Sequence, residues 1–165
     1  MSSTNTRMKN FFLLIVSDGF DFSNQKKSAF ETMQLRLESL TWPIYQRTPN
    51  KDIIKSGDEC LVYIAGKGLN SRHIVCTFEV EEIDHKNISA KKTIEIDMAN
   101  GTPIKYLVPK EIIFFDNPVY IPSLLSKLSF IKKNKQYWGA YLQGGCKKIT
   151  PSDFNLIVNQ ASASC

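Results

Sequence analysis

The chain reads as a single α+β domain. Its 165 residues suffice for one well-buried core and are short for two, and the 42% apolar and 22% charged shares are ordinary for a folded globular protein. His73 to Asp84 alternates apolar and polar side chains, the period of a strand, and Phe11 to Val16 is a continuous apolar run that fits a strand buried on both faces. Two other stretches repeat their apolar residues at helical spacing instead.

Taken in order, residues 1–9 are polar and predicted flexible. MSSTNTRMKN lacks the apolar core of a signal peptide, which implies a cytoplasmic location. The longest apolar run, Phe11 to Val16, is far too short to span a bilayer, so no membrane partner is expected. That run ends in Ser17-Asp18-Gly19, where turn chemistry holds a side chain firmly and still lets it face a cleft. Ser23 or Asn24 is the expected N-cap of a helix whose apolar face is Phe30, Met33, Leu37 and Leu40, opposed by Lys26, Lys27, Glu31, Gln34, Arg36 and Glu38. Trp42 follows in a predicted loop beside Pro43, Tyr45, Arg47 and Pro49. Behind it come a Gly57-Asp58 turn and a buried strand over residues 60–65.

After the strand at His73 to Asp84, residues 93–98 alternate again and stop at Asn100-Gly101, a hairpin signal with residues 104–108 as partner strand. Residues 112–115 form another short apolar run, closed by Asp116-Asn117-Pro118. Leu124, Leu125 and Leu128 suit a short helix from Pro122-Ser123, and residues 137–142 lead into a Gln143-Gly144-Gly145 turn. Thr150, Pro151 and Asp153 start a last helix, docked by Phe154, Ile157 and Val158. Residues 159–165 are predicted flexible.

Catalytic constellations do not stand out. The four cysteines (Cys60, Cys76, Cys146, Cys165) lie far apart without metal-ligand spacing, and Cys60 and Cys76 read as buried free thiols. Neither of the two histidines, His73 and His85, has a nucleophile or carboxylate at a telling distance. Gly66-Lys67-Gly68 lacks the rest of a phosphate loop. No enzyme activity, cofactor or metal is expected. What remains are aromatics in turns with cations interleaved: Trp42, Tyr45 and Arg47; Tyr63 and Lys67; Tyr137, Trp138, Tyr141, Lys147 and Lys148. Aromatics stack on bases and nearby cations hold phosphates. A formal charge of +5 and a pI near 9.0 tilt the expected partner toward an anion.

The order of motifs is more telling than any one of them. FFLLIVSDG, an amphipathic helix, TWPIYQRT, GDECLVYIAG, HIVCTFEVEEI, PVYIPSLLSKLSFIKKNKQYWGAYLQGG and ITPSDFNLIV resemble an EVE domain of the PUA-like superfamily. The opening also looks like that of the related YTH domains. The similarity covers residues 10–158. It implies a single PUA-like domain: a small twisted mixed or antiparallel β-barrel with helices packed around it and a pocket that receives one nucleobase. YTH pockets take N6-methyladenine in RNA, and prokaryotic EVE domains are associated with modified cytosine or adenine in DNA, often in modification-dependent restriction systems.

Carried over by position, the resemblance places Ser17 and Asp18 against the base edge, Trp42 as one pocket wall and Tyr63 at the mouth. No residue matches the family's second wall by position; Trp138 or Tyr106 is the expected opposite wall, and Arg47 and Lys67 are expected to meet flanking phosphates. Asp18-Gly19 departs from the family's usual residues; an ionised Asp18 only accepts hydrogen bonds and so favours an edge bearing an amino group. The expected function is non-catalytic reading of a methylated or hydroxymethylated cytosine, or N6-methyladenine, by base flipping, in DNA rather than RNA. A separate restriction or modification effector would act on what is read. The alternative is a general RNA-binding PUA-like module without modification selectivity. An enzyme acting on nucleotides lacks an evident general base, and an interaction scaffold would bury Trp42 with no pocket beside it.

Overall fold

A computed structural model of the chain describes residues 8–20, 24–85, 102–131 and 135–163. The predicted strand at 93–98 with its Asn100-Gly101 turn, Ser23 and Cys165 lie outside the described residues. Eight strands are described: β1 (Phe11–Val16), β2 (Gly19–Phe20), β3 (Lys26–Lys27), β4 (Trp42–Ile44), β5 (Glu59–Ile64), β6 (His73–Asp84), β7 (Lys105–Tyr120) and β8 (Cys146–Ile149). The helices are α1 (Ala29–Glu38) and α2 (Pro151–Ala163), with 3-10 turns at Ile121–Leu124 and Lys135–Tyr141. β2 and β3 pair with each other; the other six strands form one curled half-barrel sheet in the order β4-β7-β6-β5-β1-β8. Only β1 and β5 run parallel, with Phe11 opposite Glu59 and Val16 opposite Ile64.

This placement explains the unbroken apolar run of β1. Phe12, Leu14 and Val16 enter a first core with Met33 and Leu37 of α1. Leu13 and Ile15 enter a second with Phe154 and Ile157 of α2. A strand covered on both faces needs apolar residues at every position. Truncating one such residue, Leu14→Ala, is expected to destabilise by about 2–5 kcal/mol. The alternation in β6 breaks first where Ile74 faces the second core while Val75 and Cys76 both enter the first, at a register shift in both of its pairings, and again after Val80, where Ile83 packs on the first core. Among the described residues no helix is long and apolar enough to cross a membrane.

Several local expectations are corrected. Asn24 sits at φ 65, incompatible with the extended backbone of an N-cap; Ser28 caps α1 instead, through a reciprocal box with Glu31. The helix ends in a Schellman arrangement, Thr41 N–H to the Arg36 carbonyl and Leu40 N–H to that of Leu37. Leu40 thus occupies the left-handed position, φ 54, and is 45% exposed rather than part of the apolar face. The buried stripe of α1 is Ala29, Thr32, Met33, Arg36 and Leu37, so Arg36 faces inward and not toward solvent.

Trp42 lies in edge strand β4 and not in a loop, paired opposite Leu107. Pro43 is tolerated there because an edge strand can spare an N–H. The two apolar runs at 104–108 and 112–115 belong to one long, bent strand, β7, with Glu111 at φ 50. Asp116-Asn117-Pro118 does not end it, since β4 pairs with β7 only at residues 105–107 and leaves Pro118 without a β4 partner. α2 continues to Ala163, beyond the boundary expected at 158. The Thr150 hydroxyl accepts the Asp153 N–H at 3.1 Å, as its capping role requires.

Candidate functional site

Parallel strands β1 and β5 end side by side, and a cavity of about 960 Å³ opens where they stop. The Ala65 N–H donates to the Val16 carbonyl at 2.8 Å and the Ile15 N–H to that of Gly145 at 2.9 Å, so the Ser17, Ala65 and Gly145 turns gather at one place. The remaining walls come from α1, β4 with the loop after it, and the 3-10 turn carrying Trp138. The rim loop is tied down: the Asn50 amide donates to the Cys146 carbonyl at 3.0 Å, and the Tyr45 N–H to the Thr48 hydroxyl at 2.9 Å. Crevices beyond the carboxyl ends of neighbouring parallel strands are common ligand sites, because the turns leaving them can carry polar groups on a rigid frame.

The floor is built by Ser17 and Asp18, both solvent-exposed. Asp18 Oδ1 accepts the Ala29 N–H at 2.9 Å, the first free donor of α1, where a carboxylate also meets the positive end of the helix. On its other side Asp18 presses on Gly66: a Cβ added at Gly66, whose φ is +85, would stand 2.6 Å from Oδ1. The carboxylate therefore sits between the α1 terminus and Gly66, where an added side chain would displace it.

One wall is Trp42, 2% exposed, its ring 6.0 Å from that of Phe78 and covered by the Arg36 guanidinium 4.7 Å from the ring centroid. Tyr63 and Trp138 line the cavity as well, with the Arg72 guanidinium 6.0 Å over the Trp138 ring. Burial pushes the Tyr63 phenol up to about 12, while Arg72 pulls it down and Tyr120 adds to the rise. At neutral pH Tyr63 therefore offers one donor and one acceptor. Among the described residues three arginines, Arg36, Arg47 and Arg72, line the cavity against one carboxylate, Asp18, which makes its field attractive to phosphate.

Of the residues predicted for the site, Ser17, Asp18, Trp42, Tyr63, Trp138 and Arg47 meet in this one cavity. Tyr106 and Lys67 do not line it. Tyr106 pairs opposite Pro43 on β7 and is buried outside the cavity lining. Lys67 is an exposed residue just beyond Gly66. Sequence reasoning missed Arg36, Thr32 and Arg72. Arg36 had a legible signal, since it falls seven residues after Ala29 on the stripe through Thr32 and Met33. Arg72 had none: it sits at φ 68 in the β5–β6 turn, where its carbonyl accepts the Ile121 N–H from far along the chain.

No protein-family model and no curated protein matches the sequence. Solved structures do match. The human THYN1 protein, in complex with 5-methylcytosine containing DNA, aligns with a TM-score of 0.60 at 10% identity, over 95% of this chain and 100% of its own. A hypothetical protein from Leishmania major aligns at 0.56 and 14% identity, over 94% of this chain and 96% of its own. Protein Atu2648 of Agrobacterium tumefaciens aligns at 0.52 and 14% identity, over 92% of each chain. At such identities the likeness establishes the fold alone: the chain has the α+β, PUA-like fold that it shares with THYN1.

Proposed function

We propose that the chain is a non-catalytic reader of a modified nucleobase in DNA, with 5-methylcytosine the first candidate. The observation that carries this reading is the convergence of Ser17-Asp18, both tryptophans and three arginines on one cavity at the ends of β1 and β5. The fold's occurrence in a THYN1 complex with 5-methylcytosine DNA supports both the DNA and the base.

In this mechanism the base leaves the duplex and enters between the Trp42 wall and Trp138. Ser17 offers a donor and an acceptor to its edge, and the Asp18 oxygen not engaged by Ala29 accepts from the exocyclic amino group. Arg47 and Arg72 at the rim meet the flanking phosphates. Flipping costs a few kcal/mol, which one or two stacking contacts of about 1–3 kcal/mol each offset. Burying the methyl group adds about 0.8 kcal/mol, a preference and not an absolute discrimination. A separate restriction or modification effector acts on the base so marked.

Fluorescence anisotropy with matched duplexes, identical except for one 5-methylcytosine, one 5-hydroxymethylcytosine or one N6-methyladenine, tests the proposal, with the same sequences as RNA in parallel. The expected result is tighter binding of modified DNA, strongest for methylcytosine. Equal affinity for modified and unmodified strands would leave a general nucleic-acid-binding module and sink the reader function.

A further inference from the structure

The wall assigned to Trp42 presents little of its indole. Its ring is 2% exposed, and Arg36, 9% exposed, holds its guanidinium 4.7 Å from the ring centroid while itself lining the cavity. Both residues line the cavity, and the guanidinium lying over the indole belongs to the more exposed of the two. We infer that Arg36 is the platform on which the base stacks, and that Trp42 is a positioning residue behind it; this inference rests on the reader function proposed above.

The chemistry suits the role. Guanidinium is planar, delocalised, weakly hydrated and permanently charged, and it stacks on aromatic rings and on nucleobases alike. Trp42, itself packed near Phe78, lies against the guanidinium and holds it in place, and the Arg36 side chain lines the cavity. Arg36 sits on the buried stripe of α1 one turn after Thr32, another buried cavity residue, so it is anchored by a helix whose first turn is itself fixed by Asp18 and Ser28. The layers become Trp42, Arg36, base. A cation pressed on the base face favours an electron-rich, polarisable ring, and a 5-methyl group extends that polarisable area.

Arg36→Lys separates a platform from a mere charge, because lysine keeps the charge and loses the plane. The 165-residue chain is titrated against a fluorescein-labelled duplex carrying one 5-methylcytosine, with melting temperature measured alongside. We expect Arg36→Lys to bind at least about tenfold more weakly than wild type. Wild-type affinity in that variant would overturn the inference while leaving the reader function intact; absence of binding by the wild-type chain would overturn both. A second measurement needs no variant to fold: on titrating the duplex into wild-type protein labelled with nitrogen-15, the Arg36 Nε–H signal should move upfield in the ring current of the stacked base. An unmoved signal at saturation would overturn the inference as well.

Discussion

Gly66→Ala perturbs the link between the α1 terminus and the cavity floor. Gly66 has φ +85, and a Cβ there would lie 2.6 Å from Asp18 Oδ1 and 3.0 Å from its Cγ. Alanine in the left-handed region loses about 1–2 kcal/mol. The displaced Asp18 would also release the Ala29 N–H, a terminal contact of the kind that contributes about 0.5–2 kcal/mol. The sum is about 1.5–4 kcal/mol, or a fall in melting temperature of roughly 3–16 °C for a chain of this size. Gly57→Ala is the control: φ is +93 but no atom lies within 4 Å of the added Cβ, so only the backbone component of about 1–2 kcal/mol applies. Thermal denaturation followed by circular dichroism compares the two. Adding Asp18→Ala should make the Gly66→Ala loss smaller, since the clash is gone. Equal losses for Gly57→Ala and Gly66→Ala would refute the packing of Asp18 on Gly66 and, with it, the geometry of the floor.

Leu40→Gly should stabilise the protein by about 1 kcal/mol, seen as a higher denaturant midpoint, because an exposed leucine holds a left-handed helix terminus where glycine has no penalty. In a Cys165→Ser variant, Cys60, Cys76 and Cys146 should resist a thiol-disulfide reagent until the chain unfolds; burial raises all three thiols, Cys76 and Cys146 to about 12, and fast labelling of the native protein would contradict their burial. Tyr63, raised to about 12 from its ordinary 10.0, holds its proton longer folded than unfolded. The stability it contributes is therefore complete below pH 10 and declines as pH rises from about 10 to about 12. Denaturation midpoints over that window should fall less in Tyr63→Phe; an identical decline would assign the effect elsewhere.

Much of this was legible in the residues. β1 declared itself by an apolar run with no polar interruption, β6 by alternation, and the α2 start by Thr150, Pro151 and Asp153. Ser17 and Asp18 were visible as polar groups at the end of a buried strand, and they do lie at the cavity. What escaped notice depends on partners distant in sequence. Trp42 looks like a loop residue beside Pro43 until β7 pairs with it, and β7 absorbs a proline because β4 covers only one end of it. Arg36 was assigned to solvent by its charge, although helical spacing places it on the inward stripe. A buried cation over an indole is a tertiary arrangement, and hydrophobicity patterns treat it as a surface residue.

The central claim is that a modified base enters the cavity between β1, β5 and α1. The chain has two tryptophans, Trp42 and Trp138, and both line that cavity. A nitrogen-15 spectrum therefore carries two indole N–H signals, each a reporter on a wall. Titration with a duplex bearing one 5-methylcytosine should shift the Trp138 indole and the Ser17, Asp18 and Gly66 amides together, and more at equal concentration than the unmodified duplex does. Saturable binding that leaves both indoles and the Ser17-Asp18 turn unmoved would contradict the account.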